Sequence, residues 1–217
     1  MGSESIGECM KKYFFLFLAS CSLFPANSLW AAEAKMAVTG MKGDCQILRE
    51  DASVAAKMGA ECQKSDVIKT GEDGQMDVTW NGRLGCRVLP STELALKDTN
   101  RDAMVVEVNA GNIILNVKSL PKESTFRVES PTAVATVRGT QFWGRVENSD
   151  PLNPVTTFAV RKGKVEIMDK NSSQTFFIKP GYALDIPKEL NASPKIRKAL
   201  PVEMDTMAQA DNIKADM

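Results

Sequence analysis

SPTAVATVRGTQFWGRV, residues 130–146, is the most informative stretch of the chain. Ser130-Pro131 opens it, and the residue before a proline is pushed toward extended backbone. Thr132, Ala133, Val134, Ala135, Thr136 and Val137 follow, each small, β-branched or both. That composition predicts a strand squeezed between two layers, where bulky side chains do not fit. Arg138-Gly139-Thr140 interrupts the run, and Gly139 is expected at a bend or bulge because glycine takes φ > 0 without steric cost. Extended structure resumes around Phe142 and Trp143, two neighbours that must face opposite ways.

Working outward, residues 41–187 alternate in runs of four to seven, the length of a strand. Met76, Val78 and Trp80 form one apolar set, Leu84, Cys86 and Val88 a second, Ile113, Leu115 and Val117 a third, and Phe126 with Val128 a fourth. Turn signals recur at Asp73-Gly74, Asn81-Gly82, Gly111-Asn112, Lys162-Gly163 and Pro180-Gly181. A two-residue loop at Asn81-Gly82 would put the apolar sets of its flanking strands on opposite faces. A three-residue loop, Asn81 to Arg83, pairs Trp80 with Leu84 and Val78 with Cys86, and is therefore expected. Val108–Leu115 resembles Val160–Ile167, each followed by a similar second strand at Thr125–Val128 and Thr175–Ile178. This weak repeat suits a coiled architecture of stacked units.

The residues Thr132, Ala133, Val134, Ala135, Val137, Arg138, Gly139, Thr140 and Phe142 carry a resemblance: the pattern TAVAxVRGTxF is similar to the core motif of the FecR domain family. Upstream, Ser65-Asp66-Val67-Ile68-Lys69-Thr70-Gly71 resembles that family's G-D-x-I-x-T-G with Ser65 in place of the glycine. Downstream, Gly163-Lys164-Val165-Glu166-Ile167 resembles its G-x-V-x-V strand. The resemblance implies an all-β fold of short stacked strands, β-solenoid-like or β-sandwich-like, working in bacterial envelope signalling. In the better-known architecture such a domain is joined through a spanning helix to a cytoplasmic segment that controls a sigma factor. Here a signal peptide is expected in place of that segment, with no spanning helix and little room for a further domain, so envelope partner binding is expected in place of direct sigma-factor control.

Three regions are expected: a signal peptide at 1–34, a FecR-like β domain at 35–190, and a partly helical tail at 191–217 that opens at Pro201. Lys11-Lys12 precedes a short apolar run from Tyr13 to Phe24, and Met10 competes with Met1 as the start. Ala26-Asn27-Ser28 and Ala32-Glu33-Ala34 both satisfy small-x-small cleavage, which predicts a periplasmic or secreted protein. Leu18-Ala19-Ser20-Cys21 fits a lipobox, with lipid anchoring at Cys21 as the minority alternative. Nothing later is apolar enough to span a bilayer.

The formal net charge is zero, so no overall field favours nucleic acid. Histidine is absent, which removes the commonest general base and zinc ligand. Cys45, Cys62 and Cys86 lack any C-x-x-C spacing. They read as small buried residues with or without one bridge, Cys62 being the candidate half and its partner open. Asp98-Thr99-Asn100-Arg101-Asp102 imitates a calcium loop, but Ala103 and Asn109 stand where glycine and glutamate are needed, so a solvated turn is expected. No nucleophile elbow or phosphate loop is present.

The residues thus point to a non-enzyme without cofactor or metal. Arg138 is expected to serve structure, paired with a carboxylate and backbone carbonyls. The candidate contacts are Trp143 and the polar loop Asn148 to Pro154, above all Asn148, Asp150 and Asn153. The expected partner is another envelope protein. The alternatives are a structural component that self-associates or binds wall glycan, and a small-ligand or carbohydrate module using Trp80, Trp143 and Tyr182 as a stacking platform.

Overall fold

The structure is a computed structural model describing residues 36–213 apart from 51, 101, 119, 149, 151, 190 and 191. Residues 1–34, expected as a signal peptide and including Met10 and Cys21, lie outside the described residues.

Seventeen strands are described. They are β1 (Met36–Lys42), β2 (Cys45–Arg49), β3 (Ala52–Val54), β4 (Glu61–Cys62), β5 (Val67–Thr70), β6 (Gln75–Trp80), β7 (Leu84–Val88), β8 (Glu93–Thr99) and β9 (Ala103–Val117). They continue as β10 (Thr125–Glu129), β11 (Ala133–Val137), β12 (Gln141–Glu147), β13 (Val155–Lys162), β14 (Val165–Asp169), β15 (Thr175–Ile178), β16 (Tyr182–Pro187) and β17 (Lys195–Lys198). A helix, α1 (Pro201–Ala208), runs into a 3₁₀ turn at Gln209–Asn212.

The strands form two sheets. One has the order β4-β1-β6-β7-β9-β12-β13-β16-β17 and is antiparallel throughout. The other has the order β3-β2-β5-β8-β9-β10-β11-β14-β15, with one parallel pair, β9 beside β10. β9 belongs to both. Its first half pairs with β8 and β10, and its second half with β7 and β12. The inward residues of the two sheets meet in one apolar core that includes Trp80, Phe126, Phe142, Phe158 and the small Ala133 and Ala135. The all-β expectation therefore takes its sandwich form. The repeated segments mark the corners of that sandwich: Val108–Leu115 is where β9 changes sheet, and Val160–Ile167 is where the chain passes from β13 to β14.

The loop after Trp80 has the three residues expected, with Trp80 opposite Leu84 and Val78 opposite Cys86. Gly139 stands at φ +80, as the bend requires. One expectation fails. β11 is not enclosed between two layers: Ala133, Ala135 and Val137 are buried in the core, whereas Val134 and Thr136 on the other face are half-exposed. Small residues are required on the inner side only, opposite bulky side chains of the facing sheet.

Within 191–217, expected as a partly helical tail, β17 joins the edge of the first sheet and α1 then lies across the outer face of that sheet. Met207, Ala210 and Ile213 cover Ile114, Trp143, Ala159 and Ala183 there, forming a second apolar cluster.

The sheet change in β9 depends on Gly111, whose φ is +93. A Cβ at this position would meet the Ser91 carbonyl at 2.5 Å and Thr92 Cα at 2.5 Å. Gly111→Ala should therefore cost more than the roughly 1–3 kcal/mol that dihedral strain alone imposes on Gly139→Val. Thermal and urea melts of the two variants provide the comparison.

Candidate protein-interaction surface

The residues of the TAVAxVRGTxF pattern build a corner. β11 is hydrogen-bonded between β10 and β14 in one sheet, Arg138 to Thr140 carry the chain across, and Phe142 returns it to the core from β12 in the other sheet. Phe142 packs against Phe158 with ring centroids 6.2 Å apart. Thr132 and Thr140 are buried, and the Thr140 carbonyl accepts from the Val117 N–H at 2.8 Å. Arg138 is exposed. Its guanidinium donates to the carbonyls of Pro121 (2.8 Å) and Lys122, tying the corner to the turn before β10, and among the described residues no carboxylate pairs with it.

The upstream motif is a second structural node. Asp66 is buried, accepts from Arg49 Nε and Nη2 at 2.8 and 2.7 Å, and takes the Gln63 N–H at 2.7 Å. Thr70 Oγ1 donates to the Leu89 carbonyl at 2.6 Å and accepts from the Thr92 N–H at 3.0 Å. Ser65 stands at φ +72, left-handed backbone that disfavours a Cβ, which accounts for a glycine in the motif it resembles. Ser65→Gly should relieve that strain and raise the melting temperature slightly, by an amount corresponding to about 1 kcal/mol or less.

The three aromatic residues considered as a platform are dispersed. Trp80 lies in the inter-sheet core, Trp143 lies under α1, and Tyr182 is 42% exposed at the start of β16. Trp143 is only 7% exposed, so the surface presented at that place is the helix above it. The loop with Asn148, Asp150 and Asn153 joins β12 to β13 and is exposed. It is ordered from within: Asp150 accepts from the Leu152 N–H at 3.0 Å and from Asn153 Nδ2 at 2.9 Å. These bonds, led by that of Asn153, hold the Asp150 carboxyl below its ordinary value.

Cys45, Cys62 and Cys86 are free thiols. Cys62 in β4 and Cys86 in β7 are separated by β1 and β6, and Cys45 belongs to the other sheet, so no bridge involving Cys62 forms. Burial pushes the Cys62 thiol up to about 12 and raises that of Cys86, which suppresses thiolate chemistry at neutral pH. At the calcium-like stretch Asp98 accepts from the Asn100 N–H at 3.2 Å, an ordinary turn, and no metal-binding cluster occurs among the described residues.

The two ends of the sandwich differ. At one end the edges are β3 and β4, of three and two residues, with backbone bonds from Val38 to Ala60 and from Gly59 to Val38 closing the margin of β1. At the other end the edges are β15 and β17. Between them opens a groove of about 240 Å³ lined by Phe177, Ile178, Lys179, Tyr182 and Ile196. Ile196 lies opposite Leu184 and shares its inward side, yet is 49% exposed, because the first sheet extends one strand beyond the cover of the second. Phe177 is 51% exposed, with Lys164 Nζ 4.1 Å from its ring centroid. Sequence reasoning missed this site. The usable signal was Phe176-Phe177 within one strand, where one ring must point outward.

Polar links hold α1 in place beside this edge. Arg197 bridges Asp185 on β16 (2.7 Å) and Glu203 on α1 (2.6 Å), and Glu203 also takes the Leu200 N–H at 2.6 Å, which caps the helix start. Asp211 pairs with Arg161 at 2.8 Å and accepts from Gln141 at 3.1 Å. Arg87, paired with Asp77 at 2.7 Å, also reaches Gln209.

The fold defines an all-β sandwich module. Residues 66–166 match the FecR protein family, and the chain thus carries a FecR domain. Two crystal structures of a candidate anti-sigma factor from Parabacteroides distasonis, at 1.65 and 2.50 Å, are similar in fold. Each superposes with a TM-score of 0.55 at 18% identity, covering 66% of this chain and 64% of that one. This chain therefore corresponds to about 64% of the length of those relatives. No curated protein is a significant match. Among the described residues no helix is long and apolar enough to cross a membrane.

The helix clamp is acid-sensitive. Burial raises the Glu203 carboxyl, but the bonds from Arg197 and from the Leu200 N–H outweigh it and leave the group below its ordinary 4.5. The Arg161 bond likewise lowers Asp211 from 3.8. A depressed carboxyl contributes stability that is complete above its unfolded value and is lost as pH falls through the folded one. Lowering the pH below about 4 should therefore loosen α1 and shift Trp143 emission to the red, and Glu203→Gln should shift the emission at neutral pH.

Proposed function

We infer that the chain is an exported, non-enzymatic module of the bacterial envelope, of signalling or sensor type, that works by binding another envelope protein. The observation carrying this reading is the asymmetry of the sandwich: one end is blunted by short strands and loops, and the other presents two edge strands with Phe177, Tyr182 and Ile196 exposed between them. Exposed edges are otherwise suppressed in monomeric proteins, because they invite further strands. The FecR domain and the fold shared with a candidate anti-sigma factor support a regulatory role over a catalytic one. The targeting pattern of residues 1–34 supports export to the periplasm. The loop with Asn148, Asp150 and Asn153 is a separate contact surface at the Pro187 end of β16, away from Tyr182. The carbohydrate alternative lacks its platform, since Trp80 and Trp143 are buried in different clusters.

Photo-crosslinkable residues at Phe177, Ile196 and Asn153, followed in the native cell, test this reading. The expected outcome is one discrete envelope protein captured from the edge positions. Capture of no protein, together with retention on wall glycan, would transfer the case to the carbohydrate alternative.

A further inference from the structure

The free edge of β17 has a defined chemistry. Ala199 N–H donates to the Gly181 carbonyl, and β16 pairs Ala183 with Arg197 and Asp185 with Lys195. In an antiparallel ladder, residues alternate between turning their backbone groups toward the partner and away from it. Arg197 and Lys195 therefore bond to β16, while Ile196 and Lys198 turn their N–H and C=O groups to the open side. Of these, only the Lys198 carbonyl has a described partner, Arg197 Nη1 at 3.3 Å. The side chains add charge to this apolar edge. Lys179, Lys195 and Lys198 are exposed and form no ion pair among the described residues, whereas Arg197 between them is neutralised by Asp185 and Glu203. Lys164 adds a fourth cation, above Phe177.

We propose that β17 is a docking edge for an extended acidic segment of the partner, which joins the first sheet as a further strand. This deepens the partner-binding reading above and rests on it. The segment places an apolar residue opposite Ile196, filling the groove between Ile196, Tyr182 and Phe177, and carboxylates opposite Lys195 and Lys198. Main-chain bonds to Ile196 and Lys198 supply the attachment, and the side-chain pattern supplies the selection. A second copy of this chain is the poorer occupant, because pairing β17 with β17 brings lysines of two copies together at one unscreened edge.

The probe is a labelled synthetic peptide of about ten residues with valine or isoleucine at the position facing Ile196 and glutamates at the positions facing Lys195 and Lys198, which lie one residue to one side of it and two to the other, with a lysine-for-glutamate version as control. The account expects the acidic peptide to bind, the basic one not to, and binding to weaken with salt. Lys195→Glu combined with Lys198→Glu should weaken binding about ten-fold or more. Ile196→Pro removes an outward N–H without touching the ladder to β16, so the fold should survive while binding is lost. Should that variant fail to fold, the lysine pair decides alone. Hydrogen exchange at the Ile196 and Lys198 amides should slow when the peptide is added. Equal binding of both peptides, unchanged affinity in the folded variants, or unchanged exchange at these two amides would overturn the proposal. If the edge is refuted while envelope crosslinking still captures a discrete protein, the docking edge falls and the partner-binding reading stands; if neither gives a signal, both fall.

Discussion

The structure depends on β9, fifteen residues that are hydrogen-bonded in two sheets at once. Val106 and Val108 in its first half, and Ile113 and Leu115 in its second, all enter the same core. For both halves to point inward the strand must turn between sheets, and the turn falls where Gly111 passes within reach of Ser91 and Thr92. That contact is held by Thr92, whose Oγ1 donates to the Asn112 carbonyl and accepts from the Asn112 N–H at 2.8 Å. The corner at Arg138 to Thr140 is then bonded back to the end of β9, Val117 N–H donating to Thr140 O. The pairings of β9 reach strands distant in the sequence, so loop-closure entropy must be met before most of its bonds can form, and the burial of its inward residues is what offsets that cost.

From this centre the sheets spread to two unequal margins. The outer face of the first sheet is closed by α1 through Met207, Ala210 and Ile213, and the ion pairs of Arg197 and Arg161 fix the helix angle more than they add net stability. The second sheet keeps its outer face half-exposed, as an antiparallel face toward water can be. Among the described residues, the β15 and β17 margin is where edge backbone and exposed apolar side chains, Phe177 and Ile196, occur together. A rigid scaffold with one open edge is suited to recognition by strand addition, since little ordering of the scaffold is needed on binding.

Much of this was legible in the residues. Period-two alternation gave the inward sets, including Trp80, Cys86 and Phe126, and the phase mismatch at Asn81-Gly82 selected a three-residue loop. Gly139 announced its bend. What the alternation could not reveal is which strand lies beside which. A pattern of faces is the same in a solenoid and in a sandwich, and the parallel pairing of β9 with β10 leaves no local mark. The helix contacts were obscured because Ala210 contributes little hydrophobicity by itself, and Trp143 looked available until the residues covering it, some sixty positions later, were placed. Ile196 was hidden in Lys195-Ile196-Arg197-Lys198, a basic run that reads as a solvated surface, and its significance appears only once Leu184 is seen opposite it.

The claim that β9 makes the two sheets one unit is tested most directly by native-state hydrogen exchange of the free protein, resolved by residue. The account predicts that Val106 and Val108 in one half of β9, and Ile113 and Leu115 in the other, exchange only through a single global opening of the same free energy, shared by central strands of both sheets. Two separate plateaus, one for the strands paired to each half, would show that the sheets open independently and would contradict it.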